Sequence, residues 1–335
     1  MAKLPPSCAQ WRLIDIAVNL TDKMYRGVYN GRHHHPSDIE SVLQRAVEVG
    51  VHGLILTGGN LEESKAVIDM CTRYTTDTLQ CFCTVGCHPT RCQEFLEDPE
   101  GYLKALDDLI HRHSVHAGGC VAAVGEIGLD YDRLSFCPKE TQKEYFEKQL
   151  VMAKRHRLPL FLHDRNTDGD FKTLLVRHLH ELAGGVVHSF TGTREELQAY
   201  LDASLLIGVN GCSLKTAANL EVVKAIPLER LVLETDAPWC EIKNTHASKS
   251  LLIAAAKRAS SQQSVSGAVL AGFPTCRKEK FEEGCVVKGR NEPCAIVQVL
   301  EAVYELRREE VSSIEQLAEI VVANTRKLFP FAAAV

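Results

Sequence analysis

The chain has 335 residues, 45% hydrophobic and 24% charged, proportions that suit a large globular core and exclude disordered, collagen-like and membrane-embedded classes. A formal charge of -5 and a pI near 6.3 give no global basic field and count against a protein that coats duplex nucleic acid. Contact with nucleic acid must then come through a local patch or bound metal.

Segment 1–7, with Pro5-Pro6, lacks the apolar stretch of a signal peptide, and no run approaches the roughly 20 residues of a membrane span. An intracellular location, nucleus or cytoplasm, is expected; the basic residues around Arg277-Lys278-Glu279-Lys280 are too diluted by acids to specify import. Thirteen cysteines without a C-x-x-C pair read as reduced thiols acting as small apolar residues, with a structural zinc site as the sharper alternative.

Residues 12–18 form a first predicted strand, followed by Asn19 and a loop holding Arg26, Arg32 and His33-His34-His35, read as solvated. Ser37 and Glu40 have capping-box spacing for a helix with the apolar stripe Ile39, Val42, Leu43 and Ala46. Strand two is 51–57; Gly58-Gly59-Asn60 opens a helix to Tyr74, and strand three, 79–85, runs into Gly86-Cys87-His88-Pro89. A helix over 99–113 precedes strand four, 120–126, which ends at Glu126 between Gly125 and Gly128, glycines that let other atoms approach closely. A long helix, 139–156, leads to strand five, ending at His163; a helix over 170–181 leads to strand six, ending at His188. Helix 194–202, strand 205–209, helix 217–225 and strand 230–235 follow, the last ending at Asp236. Residues 247–272, rich in Ala and Ser with Ser260-Ser261-Gln262-Gln263-Ser264 at their centre, read as an inserted loop, and two helices close the chain.

Eight strands separated by helix-length segments fit an α/β fold, a parallel (β/α)8 TIM barrel in one domain over 12–331. The competing open doubly wound sheet lacks its G-x-G-x-x-G or P-loop signal. In a barrel the strand C-termini converge, so Glu126, His163, His188 and Asp236 would share one rim. Two carboxylates with two imidazoles can hold two divalent ions, which makes metal-assisted hydrolysis the leading chemistry. A lone histidine at a strand end is usually a hydrogen-bonded core residue; four metal-competent strand ends together are not explained that way. Asp130 reads as a ligand-orienting acid or a turn cap, His88 as a phosphate donor or a buried polar residue, and Arg165 as a phosphate partner or half of a surface ion pair.

Several separated motifs carry a resemblance: Asp15-Ile16-Ala17-Val18-Asn19-Leu20, Thr57-Gly58-Gly59-Asn60, Val85-Gly86-Cys87-His88-Pro89, Gly125-Glu126-Ile127-Gly128-Leu129-Asp130-Tyr131, His163-Asp164-Arg165, His188-Ser189-Phe190-Thr191-Gly192, Glu234-Thr235-Asp236-Ala237-Pro238 and Arg290-Asn291-Glu292-Pro293. In order and together they resemble the TatD family of metal-dependent deoxyribonucleases, in its eukaryotic branch. The resemblance implies a DNA phosphodiesterase with exonuclease character and two divalent ions, Mg2+ or Mn2+ with Zn2+ as an alternative. It implies that Glu126 bridges the ions, His163 and His188 hold one, Asp236 holds the other and helps activate water, and His88 and Arg165 approach the scissile phosphate. Many relatives carry H-x-H where this chain has Ala17 and Asn19, which implies that the ion near Asp236 is held by carboxylates and water, as magnesium tends to be. Competing readings are a hydrolase of a small phosphoester or amide, and a barrel kept as a non-catalytic binding scaffold.

Overall fold

A computed structural model describes residues 12–258, 270 and 272–331. Its frame is eight strands: β1 (Leu13–Val18), β2 (Val51–Leu56), β3 (Gln80–Val85), β4 (Val121–Asp130), β5 (Leu160–Arg165), β6 (Gly185–Val187), β7 (Leu206–Val209) and β8 (Leu231–Leu233). They neighbour one another in sequence order, and each adjacent pair is parallel. The circle closes where Val18 bridges Ala237 in parallel and the Asn19 N–H donates to the Ala237 carbonyl at 2.8 Å. The fold is therefore the (β/α)8 barrel expected from the alternation of strands and helices.

Ten helices accompany the strands among the described residues: α1 (Ile39–Glu48), α2 (Leu61–Tyr74), α3 (Pro99–His113), α4 (Lys139–His156), α5 (Asp170–Val176), α6 (Arg194–Asp202), α7 (Ala217–Lys224), α8 (Ser248–Arg258), α9 (Ile296–Arg307) and α10 (Ile314–Leu328). Side-chain alternation divides the core in two. Ile14, Ile16, Ile55, Phe82, Phe161, Val186 and Val232 fill the barrel, whereas Leu13, Leu54, Cys83, Val124 and Leu160 face the helices. Phe331 stacks on Phe82 at 4.2 Å and on Phe329 at 5.7 Å, so the segment after α10 plugs the floor. The functional face is left to the opposite rim.

Four local expectations are corrected. Helix α1 takes Asp38 as its N-cap residue, without a side-chain cap bond, because the Asp38 carboxylate is engaged by Arg290 at 2.6 and 2.7 Å; Ser37 and Glu40 form no capping box there. The loop after β1 folds back at Asn30-Gly31, both with positive φ, into a short hairpin pairing Val28–Tyr29 with Arg32–His33. This buries His35, which meets the Tyr29 hydroxyl at 3.0 Å and stacks on Phe281 at 4.2 Å. The helix expected over 170–181 stops at Val176 and resumes as a 3-10 turn, Leu179–Glu181, after the His178 N–H tightens back onto the Leu175 carbonyl. Finally, the first half of the expected inserted loop is helix α8, packed on α9 through buried Leu252 and Ala255; Ser260 to Ser264 lie outside the described residues.

Because α8 contributes to the core, Leu252→Ala should lower unfolding stability by about 2 to 3 kcal/mol, the usual cost of emptying a buried leucine site. Denaturant unfolding measures this, and an unchanged midpoint would show α8 to be a passive appendage.

Candidate metal centre

Glu126 lies within β4, four residues before its end, because the strand runs on to Asp130. Between Val124, paired with Leu160, and Ile127, paired with Leu162, β4 spends one residue more than β5. Such a bulge re-aims a side chain. The flanking glycines are required by space: a Cβ at Gly125 would stand 2.4 Å from the Phe161 carbonyl oxygen, and one at Gly128, with φ +150°, 1.8 Å from that of His163. A bulky residue at either position would push β4 off β5 and misplace Glu126.

Three imidazoles converge on one oxygen of that carboxylate. His163 Nδ1 and His188 Nε2 each lie 2.8 Å from Glu126 Oε1, and His88 Nε2 lies 3.3 Å from it. His163 comes from β5, His188 from the end of β6, and His88 from the turn after β3, where its Nδ1 meets the Thr90 hydroxyl at 2.7 Å. Asp130 sits on the far side of His163, its Oδ2 3.3 Å from Nε2. Burial opposes the charge on Glu126, yet His188 and His88 and the hydrogen bonds from His163 and His188 hold its pKa well below the carboxylate range. Burial likewise opposes protonation of His163, but hydrogen bonds to Asp130 and Glu126 push its pKa up to about 9. For His88 burial wins, and its pKa is lowered despite Glu126.

Asp236 occupies the β8 side of the same rim. Its Oδ1 accepts from the Asn19 amide at 2.8 Å, and its Oδ2 from the Cys240 thiol at 3.3 Å. Burial raises its pKa to about 6, with His188 opposing and Glu234 and Glu126 adding to the rise. Arg165 is half-exposed, with Nε on Asp132 at 3.0 Å and Nη1 3.9 Å from Asp130; it combines the surface ion pair with a place beside the centre. The rim thus gathers Glu126, His163, His188, His88 and Asp130 into direct contact, with Asp236 across from them and Arg165 at the edge.

Sequence reasoning passed over Glu234, Asn210 and Asp15. Glu234 is fully buried, its Oε1 accepting from the Ser189 N–H at 2.6 Å and the Asn210 amide at 2.9 Å and lying 3.6 Å from His188 Nδ1. Its place directly after the apolar run Leu231-Val232-Leu233, in the same motif as Asp236, was the available signal. Asp15 is locked to Thr235, accepting from its N–H at 2.9 Å and paired with its hydroxyl at 2.5 Å.

The turn carrying Asp236 is clamped from below. Asn291 donates its side-chain amide to the Thr235 and Trp239 carbonyls at 3.1 and 2.7 Å. The neighbouring Arg290 and Glu292 lie in a buried lattice in which Arg290 forks onto Asp38 and Arg45 onto Glu292. Paired, bidentate geometry is what makes buried charges tolerable.

The donor set fits divalent cations. Glu126 Oε1 is ringed by three nitrogens, and His88, Glu126 and His163 each offer one ligand atom within 4.8 Å of the others. The second carboxylate oxygens of Asp130 (Oδ1) and Glu234 (Oε2) are buried without a hydrogen-bond partner. Buried polar atoms left in this state call for a counterpart, and imidazole with carboxylate suits zinc-like and manganese-like ions.

A model described as TatD related DNase matches residues 14–330. The chain belongs to the TatD family. Deoxyribonuclease Tat-D of Schizosaccharomyces pombe is 45% identical over 322 residues, covering 95% of each chain. The 3'-5' ssDNA/RNA exonuclease TatD of Pantoea ananatis is 33% identical, covering 95% of this chain and 99% of its own. A crystal structure of an uncharacterized amidohydrolase from Saccharomyces cerevisiae superposes with a TM-score of 0.86 at 35% identity, covering 95% of this chain and all of that one. As a TatD protein the chain is a metal-dependent hydrolase acting on ester bonds, with a His/Glu group suited to metal at its rim.

Asp15 supplies a pH test of the architecture. Burial lifts its pKa from the ordinary 3.8 to about 8, its bonds to Thr235 opposing. The folded state therefore binds a proton that the unfolded chain has released, and stability falls as pH rises from about 4 to about 8, by at most about 1.4 kcal/mol per pH unit. Asp15→Asn should flatten that part of the profile of unfolding midpoint against pH. An unaltered slope would mean that Asp15 ionises normally in the fold.

Proposed function

We propose that this protein hydrolyses DNA phosphodiester bonds with the help of two divalent cations at the barrel rim, working on a single strand or strand end with exonuclease character. The observation that carries the reading is the ring of three imidazole nitrogens around Glu126 Oε1, with the half-buried acid Asp236 on the β8 side of the same rim. Glu126, His163, His188 and Asp236 would hold the ions, with Mg2+ or Mn2+ as the first candidates. Cations held there offset the charge that builds on phosphoryl oxygens and lower the pKa of water.

The chain's own groups divide the remaining work. Asp236, its two carboxylate oxygens held by Asn19 and Cys240, would hold one ion and help activate the attacking water. Asp130 orients His163 from behind, as a carboxylate beside a ligating imidazole commonly does. His88 and Arg165 face the substrate phosphate, the guanidinium offering its planar fork.

Recognition of an unpaired strand has support beside the centre. Trp239, three residues past Asp236, is 52% exposed and lines a cleft of about 370 Å3 with Lys23, Tyr29 and Lys278. An aromatic face stacks a base of any sequence, worth about 1 to 3 kcal/mol, while the two ammonium groups neutralise phosphates. The exonuclease names of relatives such as the Pantoea ananatis protein point the same way.

Purified protein should degrade single-stranded DNA in Mg2+ or Mn2+, stop on addition of chelator, and resume when metal is restored. Glu126→Ala and Asp236→Ala should each reduce the rate by more than about a hundredfold, since several kcal/mol of transition-state charge stabilisation is lost. Variants that remain folded and cut as fast as the parent would overturn the assignment. In a Trp11→Phe background, metal-free protein should show Trp239 fluorescence quenched by oligothymidylate, and Trp239→Ala should raise KM about tenfold with kcat little changed. Unquenched fluorescence together with an unaltered KM would remove the cleft from the substrate path.

A further inference from the structure

Away from the rim, three thiols meet in the layer between barrel and helices. Cys83 lies on β3, Cys120 immediately precedes β4, and Cys71 lies on the face of α2 that packs on β3. The Cys83 N–H donates to the Cys120 carbonyl at 2.9 Å, which fixes the two backbones side by side. Their sulfurs are 3.8 Å apart, and with Cys71 all three lie within 4.8 Å of one another. Zn–S bonds of about 2.3 Å in tetrahedral array place sulfurs about 3.8 Å apart, so the Cys83–Cys120 pair already has the edge length of a zinc–thiolate tetrahedron. An S–S bond of about 2.05 Å is far shorter than that separation. Cys71 and Cys83 are buried, whereas Cys120 is partly exposed and provides the entry path a metal site requires.

We propose that Cys71, Cys83 and Cys120 form a second metal site, for a thiophilic cation of the zinc class, that ties α2 to β3 and β4. The three sulfurs bind as thiolates, releasing their protons as the metal enters, and the fourth position opens to solvent beside Cys120. The site shares no residue with the rim centre and does not depend on the reaction proposed there.

Cadmium is the probe, because a Cd2+–thiolate site shows an ultraviolet charge-transfer band that imidazole and carboxylate sites lack. Reduced, chelator-stripped full-length protein titrated with Cd2+ should develop the band with saturation near one equivalent, and Zn2+ should displace it. The band should persist in Glu126→Ala and in Cys212→Ala/Cys240→Ala, which separates it from the rim. It should vanish in Cys71→Ser/Cys83→Ser/Cys120→Ser and in the single variant Cys120→Ser, whose partly exposed position makes misfolding less of a concern. Zn2+ should raise the thermal midpoint of Glu126→Ala but not of Glu126→Ala/Cys120→Ser. No band in the parent, or a band undiminished in Cys120→Ser, would overturn the proposal.

Discussion

A carboxylate buried in a barrel mouth cannot be left alone, and the compensation of Glu126 is the constraint on which this molecule turns. Withdrawn from water, an ionised acid is tolerated only with partners supplied by the fold. Here they are imidazoles delivered by three other segments, from β5, β6 and the turn after β3, to one oxygen atom. The bulge and its glycines aim the acid, and the parallel order of the strands brings the imidazoles. The cluster is a consequence of topology as much as of residue type, because no two of these residues are near neighbours in the chain.

The opposite side of the rim is governed by oxygen. Asn19, just past the end of β1, donates its amide to Asp236, and the adjoining Glu234 is buried against Asn210 and Ser189. One half of the centre is rich in nitrogen and the other in carboxylate and amide. Softer and harder divalent ions are distinguished by such donor sets. Asn19 therefore helps set the character of this half of the rim while holding Asp236.

Holding Asp236 in place falls to residues remote from it in sequence. The barrel closes through Val18 and Ala237, and Asn291 fastens the turn by two carbonyls. Beneath it the ion lattice of Asp38, Arg45, Arg290 and Glu292 is internally balanced, two cations against two anions. Removing one member of such a lattice is far more damaging than never having built it, which is a physical reason for the whole Arg290-Asn291-Glu292-Pro293 motif to act as a unit.

The sequence by itself determined the barrel, because strand and helix periods alternate over most of the chain and a parallel sheet of that order closes with simple right-handed connections. It also singled out Glu126, His163, His188 and Asp236, since each follows a short apolar run. Tertiary structure alone decided the rest. Whether Asp38 caps a helix or receives Arg290, whether His35 is solvated, and whether residues 248–258 are loop or core depend on contacts that the local sequence does not specify. That His88 reaches Glu126, that Glu234 backs His188, and that three cysteines on α2, β3 and the approach to β4 face one another are likewise products of packing. Local propensity acts over a few residues, whereas a side chain's contacts are chosen by the closure of the whole barrel.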